Sequence, residues 1–511
     1  MTGTDILTAQ AAARPDRVAL IEGNLSLTYA EFNRLANRAA NAVAGLGLVA
    51  GDRSAGMGHN SIEGFVWGSG LRKLGVVGVP VNFRLRGPEI AHVINDSGAR
   101  LLLAGPDFVP VVEAARPLLT SEPILVARGA GEPPPGWLSY AALLAAAPEQ
   151  EPAGAGLGGS LGRSMIYTSG TTGRPKGAYR PQGAPEIAMR TIACFGLSDS
   201  DVHLMAGPGY HSAVAVFAAL ANAVGGTVVI MPRFDAEEAL RLIARHHVNT
   251  TFMAPILVQR LVDLPEEVRR RHDTSSLRQL IVAAAPCPMQ LKKDAIAAFG
   301  EVLWEFYGAT ETGINMVLRP EEQLTRPGSC GRLLEGQEAV LLDADGNPVP
   351  DGTPGLLWVR NAGLAEYYNR PDATASSSRD GFFTVGDIAY RDQDGYFYVC
   401  DRQVDMVISG GVNIYPAEVE ATLYEHPAVS DVAVVGVPDD RWGEAVKAVV
   451  VLLPGTSAGE AELIEFCRSR MADYKSPRSI EFVAELPRDA AGKLLKRAIR
   501  EPYWAGSGRS I

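Results

Sequence analysis

The sequence is short of several features that would settle its class quickly. Cysteine is scarce, with five residues at 194, 287, 330, 400 and 467. None forms a C-x-x-C pair and the count is odd, which does not suit a disulfide framework, so reduced thiols in a cytoplasmic protein are expected. Positive charge is in deficit, with 47 Lys and Arg against 58 Asp and Glu and a net charge of −11, giving no support to a nucleic-acid partner. Long uncharged apolar runs are nearly absent. The one candidate, residues 212–232, is split by Gly225-Gly226 and followed by β-branched residues, so it predicts helix, turn and buried strand rather than a transmembrane segment. Residues 1–16 have no charged stretch followed by an apolar core, and no secretory signal is expected. No repeat of 20–50 residues is present. What remains is an ordinary globular balance, 47% hydrophobic and 21% charged, in 511 residues. That length suggests roughly three domain-sized units and allows a large core without disulfide or metal staples.

Along the chain, an apolar stretch at 65–81 ends in a buried strand, and a Pro/Gly/Ala-rich connection at 131–160 carries a short helix at 138–147. Strands are then expected at 164–167, 227–231, 250–253, 277–283 and 302–306. Helices are expected at 185–195, 214–224, 236–246 and 289–299. Strands alternating with helices argue for α/β layers with largely parallel sheets. From Glu335 short strands and turns predict a small β-rich unit to about Cys400. A compact α+β unit follows, with helices at 417–426 and 460–471 and strands at 429–435 and 448–453.

The most informative segment is Tyr167-Thr-Ser-Gly-Thr-Thr-Gly-Arg-Pro-Lys-Gly177, directly after a predicted strand. Thr168, Ser169, Thr171 and Thr172 supply hydroxyls, Gly170 and Gly173 let backbone N–H groups approach phosphate oxygens, and Lys176 adds a positive charge. It is not a Walker loop, because Pro175 precedes the lysine and Gly177 follows it. The segment resembles the phosphate-binding signature of the superfamily of acyl- and aryl-CoA synthetases, adenylation domains and luciferases. Further matches follow in the expected order over nearly the whole chain.

Tyr307-Gly308-Ala-Thr310-Glu311 resembles that family's Tyr-Gly-x-Thr-Glu motif. The resemblance implies that Tyr307 flanks adenine, Thr310 touches the α-phosphate and Glu311 holds Mg²⁺, an ion suited by one or two carboxylates plus substrate phosphates. Taken alone, the segment also reads as a helix start with Thr and Glu in capping roles. Ala283-Ala284-Ala285-Pro286 resembles the small-residue strand end beside adenine. Asp387, in Phe383-Thr-Val-Gly-Asp387, and Arg402, in Asp401-Arg402, look like the ribose-binding pair.

The run from Asp401 to Glu420 resembles the family's crossover from large to small domain. Val404 occupies the hinge position, where the family usually has Asp or Lys, and Gly410-Gly411 would line the pantetheine path. Pro487-Arg-Asp-Ala-Ala-Gly-Lys493 resembles the motif of the C-terminal catalytic lysine. Gly209-Tyr210-His211 sits where the family places an aromatic-His pair at the acyl pocket, and Ala213, Met253, Ala254 and Ala283 are further pocket candidates. Being mostly small or apolar, they point to an apolar acyl group without a second charge.

The resemblance implies an α/β fold with a large N-terminal domain of two α/β layered subdomains plus a small β-rich subdomain. A mobile small α+β C-terminal domain follows, with the division at 1–403 and 404–511. It implies an AMP-forming acyl-CoA synthetase using ATP, Mg²⁺, coenzyme A and a small carboxylic acid, with a homodimer among the assemblies open to it. The alternative is an adenylate-forming amide ligase or stand-alone adenylation enzyme with another acceptor. Amino-acid-specific relatives usually place an Asp near the position of His211, and none occurs here. Leu157-Gly-Gly-Ser160 resembles a carrier-protein attachment site but reads as ordinary linker.

Overall fold

The computed structural model describes residues 5–129, 131–152, 163–168, 175–181, 185–403, 405–409, 412–439, 441–488 and 494–505. Ser169, Gly170, Thr171, Thr172, Gly173, Val404, Gly410, Gly411, Lys493 and the 157–160 linker motif lie outside them.

Two layered α/β units form the body. In the larger, six strands run parallel in the order Leu303–Ala309, Gln279–Val282, Thr250–Met253, Val202–Met205, Thr227–Ile230 and Val18–Glu22. Antiparallel strands extend both edges, Gly313–Leu318 and Arg332–Leu333 on one side and Leu25–Thr28 on the other. The smaller is a parallel five-stranded sheet of Val77–Pro80, Arg53–Met57, Leu101–Ala104, Ile124–Ala127 and Leu138–Ser139. Its strands are nearly continuous apolar runs because both faces are covered. An antiparallel group built on Gly355–Arg360, Asp387–Arg391 and Phe397–Arg402 forms the β-rich unit. The C-terminal sheet is dominated by the long hairpin Val429–Asp439 and Gly443–Leu452, packed by helices Pro416–Tyr424 and Glu460–Arg468.

Local chemistry fixes the element ends. Helix Tyr29–Gly45 starts on a capping box, the Thr28 hydroxyl accepting from the Glu31 backbone while Glu31 accepts from the Thr28 N–H. Helix Ala236–His246 is capped by Asp235, carries Glu237 and Glu238 in its first turn, and stops where His247 turns left-handed at φ 49°. The apolar run at 212–232 folds as helix Ser212–Ala223 and strand Thr227–Ile230. The turn requires glycine, since a Cβ on Gly226 would lie 2.8 Å from the Asp201 carbonyl oxygen. Among the described residues no helix is long and apolar enough to cross a membrane.

Several expected bounds shift. The strand expected at 302–306 continues to Ala309, so the Tyr307-Gly-Ala stretch is the end of a strand, not the start of a helix. Gly308 sits where this strand and Gly313–Leu318 approach so closely that a Cβ would meet the Gly313 carbonyl oxygen at 2.2 Å. The strands expected at 429–435 and 448–453 are longer, pairing from Val429–Leu452 to Asp439–Gly443.

Beneath helix Ser212–Ala223 lies an aromatic core. Phe217 stacks on Phe252 with centroids 5.8 Å apart, and Phe306, Phe195 and Trp304 close around them. His203 is buried against this cluster, its Nδ1 3.0 Å from the Thr250 hydroxyl. Burial pushes its pKa down to about 3. Between there and the ordinary value near 6.5 the unfolded chain binds the extra proton, so stability falls as pH drops through that window. Chemical denaturation from pH 7 to 5 should show His203→Gln losing up to about 1.4 kcal/mol per pH unit of the wild-type slope. Parallel slopes for the two proteins would show that His203 is not the group responsible.

Candidate active site

The described ends of the Gly/Thr-rich segment sit on two antiparallel strands, Met165–Thr168 and Lys176–Tyr179, with Thr168 opposite Lys176. Lys176 therefore projects from a strand, and its Nζ lies 5.0 Å from the centroid of the Tyr367 ring. The third strand of this small sheet, Glu366–Tyr367, brings Tyr367 to the same place.

These strands deliver their polar groups to the corner that follows Leu303–Ala309. Thr168 Oγ1 donates to Glu311 Oε1 at 2.9 Å, and the Tyr367 hydroxyl donates to the same oxygen at 3.1 Å. Glu311 is 6% exposed, yet among the described residues no ion pair takes up its charge. A buried carboxylate held only by hydroxyls is costly unless a cation joins it. This donor set fits a hard cation such as Mg²⁺ shared with phosphate oxygens. Thr310 Oγ1 lies 3.2 Å from the hydroxyl of Ser212, which opens helix Ser212–Ala223 and ties that helix to the corner.

One strand away, the Tyr307 hydroxyl donates to Asp387 Oδ2 at 2.5 Å, and Arg402 Nε lies 3.4 Å from Asp387 Oδ1. Asp387 and Arg402 are register partners on adjacent antiparallel strands, which explains their pairing across 15 positions of chain. Burial, reinforced by the Asp387 charge, raises the Tyr307 pKa well above its usual value, so the phenol remains a donor.

Asp401 behaves differently from its neighbour Arg402. Its carboxylate faces the C-terminal unit, accepting from the Ala417 N–H at 3.0 Å and lying 3.7 Å from Lys496 Nζ. Lys496 in turn stands 2.9 Å from Glu420. Burial lifts the Asp401 pKa to about 6 despite that lysine. Asp401 thus joins the two parts of the chain, while Arg402 alone stands with Asp387.

The small-residue segment carries a strained backbone. Ala284 adopts φ 76°, a left-handed conformation unfavourable for alanine, immediately after buried Ala283. Ala285 and Pro286 follow in the same non-helical turn. Tyr210 and His211 pack with ring centroids 4.4 Å apart and planes tilted by 47°, and Phe83 meets Tyr210 edge-on at 5.1 Å. Asn60 braces this turn by accepting from the Gly209 N–H at 2.7 Å and donating to the Gly207 carbonyl. Ala213 follows on the helix, and Ala254 is the N-cap residue of helix Pro255–Val262. Met253 is not brought to this group. It is fully buried with Leu240, Val258 and Val282 on the sheet face opposite Phe252 and Ala283. Alternation along a strand separates neighbours 252 and 253, which the apolar run itself does not reveal.

Sequence reasoning missed Tyr367, Ser212, Asn60 and Arg180. Each is a single residue without a motif, and only contacts between segments distant in the chain identify it.

Folds of this layout, in which a hydroxyl-rich strand pair, a Tyr-Gly-x-Thr-Glu strand end and a buried Asp meet at one junction, are those of adenylate-forming enzymes. The chain belongs to the family of AMP-binding enzymes, whose model matches residues 7–369, with the AMP-binding enzyme C-terminal domain matching 418–493. It is 34% identical to the long-chain-fatty-acid–CoA ligase FadD13 of Mycobacterium tuberculosis over 98% of both chains. It is 36% identical to a feruloyl-CoA synthase from an Amycolatopsis species over 97% of both. Among solved structures, an anthranilate–CoA ligase bound to anthranoyl-AMP superposes with a TM-score of 0.88 at 30% identity, covering 99% of this chain and 98% of that one. The amide bond synthetase McbA of Marinactinospora thermotolerans superposes at 0.86 with 26% identity, covering 98% and 99%.

Proposed function

We propose that this protein is an ATP-dependent acyl-CoA synthetase that joins an apolar carboxylic acid to AMP and then to coenzyme A. The supporting observation is the junction itself, where separate segments bring Thr168 to Glu311 at 2.9 Å and Tyr307 to Asp387 at 2.5 Å. We assign residues 1–403 to nucleotide and acyl binding and 404–511 to a mobile unit carrying Lys493. The last strand before this division ends at Arg402 and the next sheet begins at Val407. Five unpaired thiols suit a reducing compartment, and we place the enzyme in the cytoplasm.

In the first half-reaction a carboxylate oxygen attacks the α-phosphorus of ATP, the bond to the β-phosphate oxygen breaks, and acyl-adenylate and pyrophosphate form. Both reactants are anionic, so the site must align them and offset charge. Lys176, the Thr168 hydroxyl and the 169–173 segment hold the pyrophosphate half, Thr310 contacts the α-phosphate, and Lys493 bridges that phosphate and the carboxylate. Magnesium, held by Glu311 when bound, supplies further charge neutralisation. Asp387 accepts from the ribose hydroxyls with Arg402 beside it, and Tyr307 with 284–286 flanks adenine. In the second half-reaction the thiol of coenzyme A, entering beside Gly410-Gly411, attacks the acyl carbonyl and AMP leaves. Rotation about position 404 would exchange Lys493 for that path.

Tyr210, His211, Ala213, Ala254 and Ala283 are the acyl-pocket candidates. They present aromatic or small surface with no fixed countercharge for a second carboxylate, and the Phe217–Phe252–Phe306 core closes the space below.

Pyrophosphate release measured over a panel of carboxylic acids, followed by mass spectrometry of thioester products, tests the assignment. Release without acid-dependent thioester, but with an amide when amines are supplied, would move the protein to the amide-ligase reading that the McbA likeness supports. Silence across the panel would reject both. Asp387→Asn is expected to weaken AMP binding about tenfold in calorimetry, the loss of roughly one charge-assisted hydrogen bond. Unchanged AMP affinity would remove Asp387 from the ribose site.

A further inference from the structure

Strand Lys176–Tyr179 is followed by Arg180, a half-buried residue outside every motif quoted above. Its Nη2 donates to the Thr310 carbonyl at 2.6 Å, and its Nε donates to the Gly363 carbonyl. Gly363 is itself fixed, its N–H donating to Asn361 Oδ1 at 2.7 Å. One planar guanidinium thus staples the loop holding Thr310 and Glu311 to the connection leading to Tyr367. Two residues further along that connection, the Ala365 N–H donates to the Glu311 carbonyl at 2.8 Å, so the two segments are also tied directly to each other.

Two backbone carbonyls do not need a formal charge to satisfy them. A neutral donor would serve, and enclosing a cation costs desolvation free energy. Burial does press the Arg180 pKa downward, with the Glu311 charge opposing it. Among the described residues no carboxylate is in ion-pair contact with Arg180; its bond to the Thr310 carbonyl and the influence of the Glu311 charge place the guanidinium at the same junction as the hydroxyl-held Glu311. Arginine stays protonated throughout the accessible pH range. A permanent positive charge held rigidly there is complementary to a polyphosphate, and far less so to AMP, which lacks the β- and γ-phosphates.

We infer that Arg180 is a positioning residue for the triphosphate end of ATP, fixing the Thr310–Glu311 corner through the Thr310 carbonyl and adding a charge that favours ATP over AMP. The inference rests on the adenylation reading of the site. It gives Arg180 two separable duties. The fork geometry holds the corner, and the charge discriminates between nucleotides.

The test uses the full chain with Arg180→Gln and Arg180→Lys. Calorimetry with ATP in Mg²⁺, and separately with AMP, gives the ratio of affinities. For Arg180→Gln the ATP affinity is expected to fall about tenfold more than the AMP affinity, with a matching rise in KM for ATP in pyrophosphate release. Arg180→Lys keeps the charge but not the fork. It should recover most of the ATP:AMP ratio while kcat stays reduced. A glutamine variant with an unchanged ratio and a lower unfolding temperature would overturn the inference and leave Arg180 a structural staple. Should the glutamine variant not fold, a lysine variant with a wild-type ratio and reduced kcat supports it, and one with a collapsed ratio overturns it. A wild-type chain that binds AMP but does not discriminate for ATP sinks the inference alone. A wild-type chain that binds neither nucleotide sinks the adenylation reading as well.

Discussion

Replacing Lys493 with alanine is expected to slow acyl-adenylate formation by about 10²–10³-fold, the scale of losing one preorganised charge donor at a developing transition state. Thioester formation from supplied acyl-adenylate should remain nearly normal, because the second half-reaction has no carboxylate–phosphate repulsion for a lysine to offset. Lys493 itself is outside the described residues, and contacts on either side of 489–493 anchor the segment ends. Arg488 and Leu494 form a β-bridge, the Leu495 N–H donates to the Pro487 carbonyl at 2.9 Å, and Arg488 pairs with Asp431 at 2.7 Å. None of these anchors involves the side chain at 493, and an unfolding temperature close to wild type is the expected result for Lys493→Ala. Lys496 is the natural control. Its charge is held by Glu420 and Asp401, and those two acids raise its pKa against the effect of burial. Lys496→Met strands two buried carboxylates and should lower stability by roughly 3 kcal/mol or more while slowing both half-reactions together. Half-reaction rates by rapid quench separate the two lysines. Equal losses in both steps for Lys493→Ala would refute its assigned role.

That contrast illustrates what the chain discloses before it folds. Helix Ala236–His246 is legible to the residue because an acidic cap, acidic first turn and basic last turn agree with its apolar stripe. The junction is legible for a different reason. Hydroxyls and glycines packed into 167–177 and 307–312 have little use in a core, so their density marks a ligand contact. The β-rich unit is legible from its short strands and turn signals, and the C-terminal unit from its mixed helix and strand patterns. Strand Val202–Met205 was not foreseen. It is four residues long and includes the polar His203, and it is held at the centre by parallel pairing with Thr227–Ile230 and Thr250–Met253, with the Thr250 hydroxyl beside the buried imidazole. That Met253, a pocket candidate, lies on the other face of the sheet is hidden because strands covered on both sides show no alternation of polarity. The partner of Asp401 was equally hidden. Adjacent residues on a strand point to opposite sides, so Asp401 and Arg402 serve different units although they read as one dipeptide. Arg180 and Tyr367 act through backbone and hydroxyl contacts 130 and 56 positions away, which no local pattern encodes.

Glu311→Gln should separate activity from stability in opposite directions. The side chain keeps its shape and can still accept from Thr168 and Tyr367, so the packing at this 6% exposed position is preserved. What disappears is the charge. In the ligand-free protein that charge is desolvated with no ion pair among the described residues and only the longer-range influence of Arg180 to offset burial, so its removal should leave the unfolding temperature unchanged or raised. In adenylation the same charge is the proposed anchor for magnesium on the departing pyrophosphate. Its loss should cut kcat/KM for pyrophosphate release by about 10²–10³-fold and shift the Mg²⁺ concentration for half-maximal rate upward. AMP binding measured without metal should be nearly unaffected, since the ribose and adenine contacts run through Asp387 and Tyr307. Magnesium titrations of pyrophosphate release, with thermal unfolding of the same samples, give both readings. A variant with wild-type magnesium dependence would place the metal elsewhere. A variant that loses stability and rate together would make Glu311 a structural acceptor for two hydroxyls rather than the carboxylate that organises the phosphates.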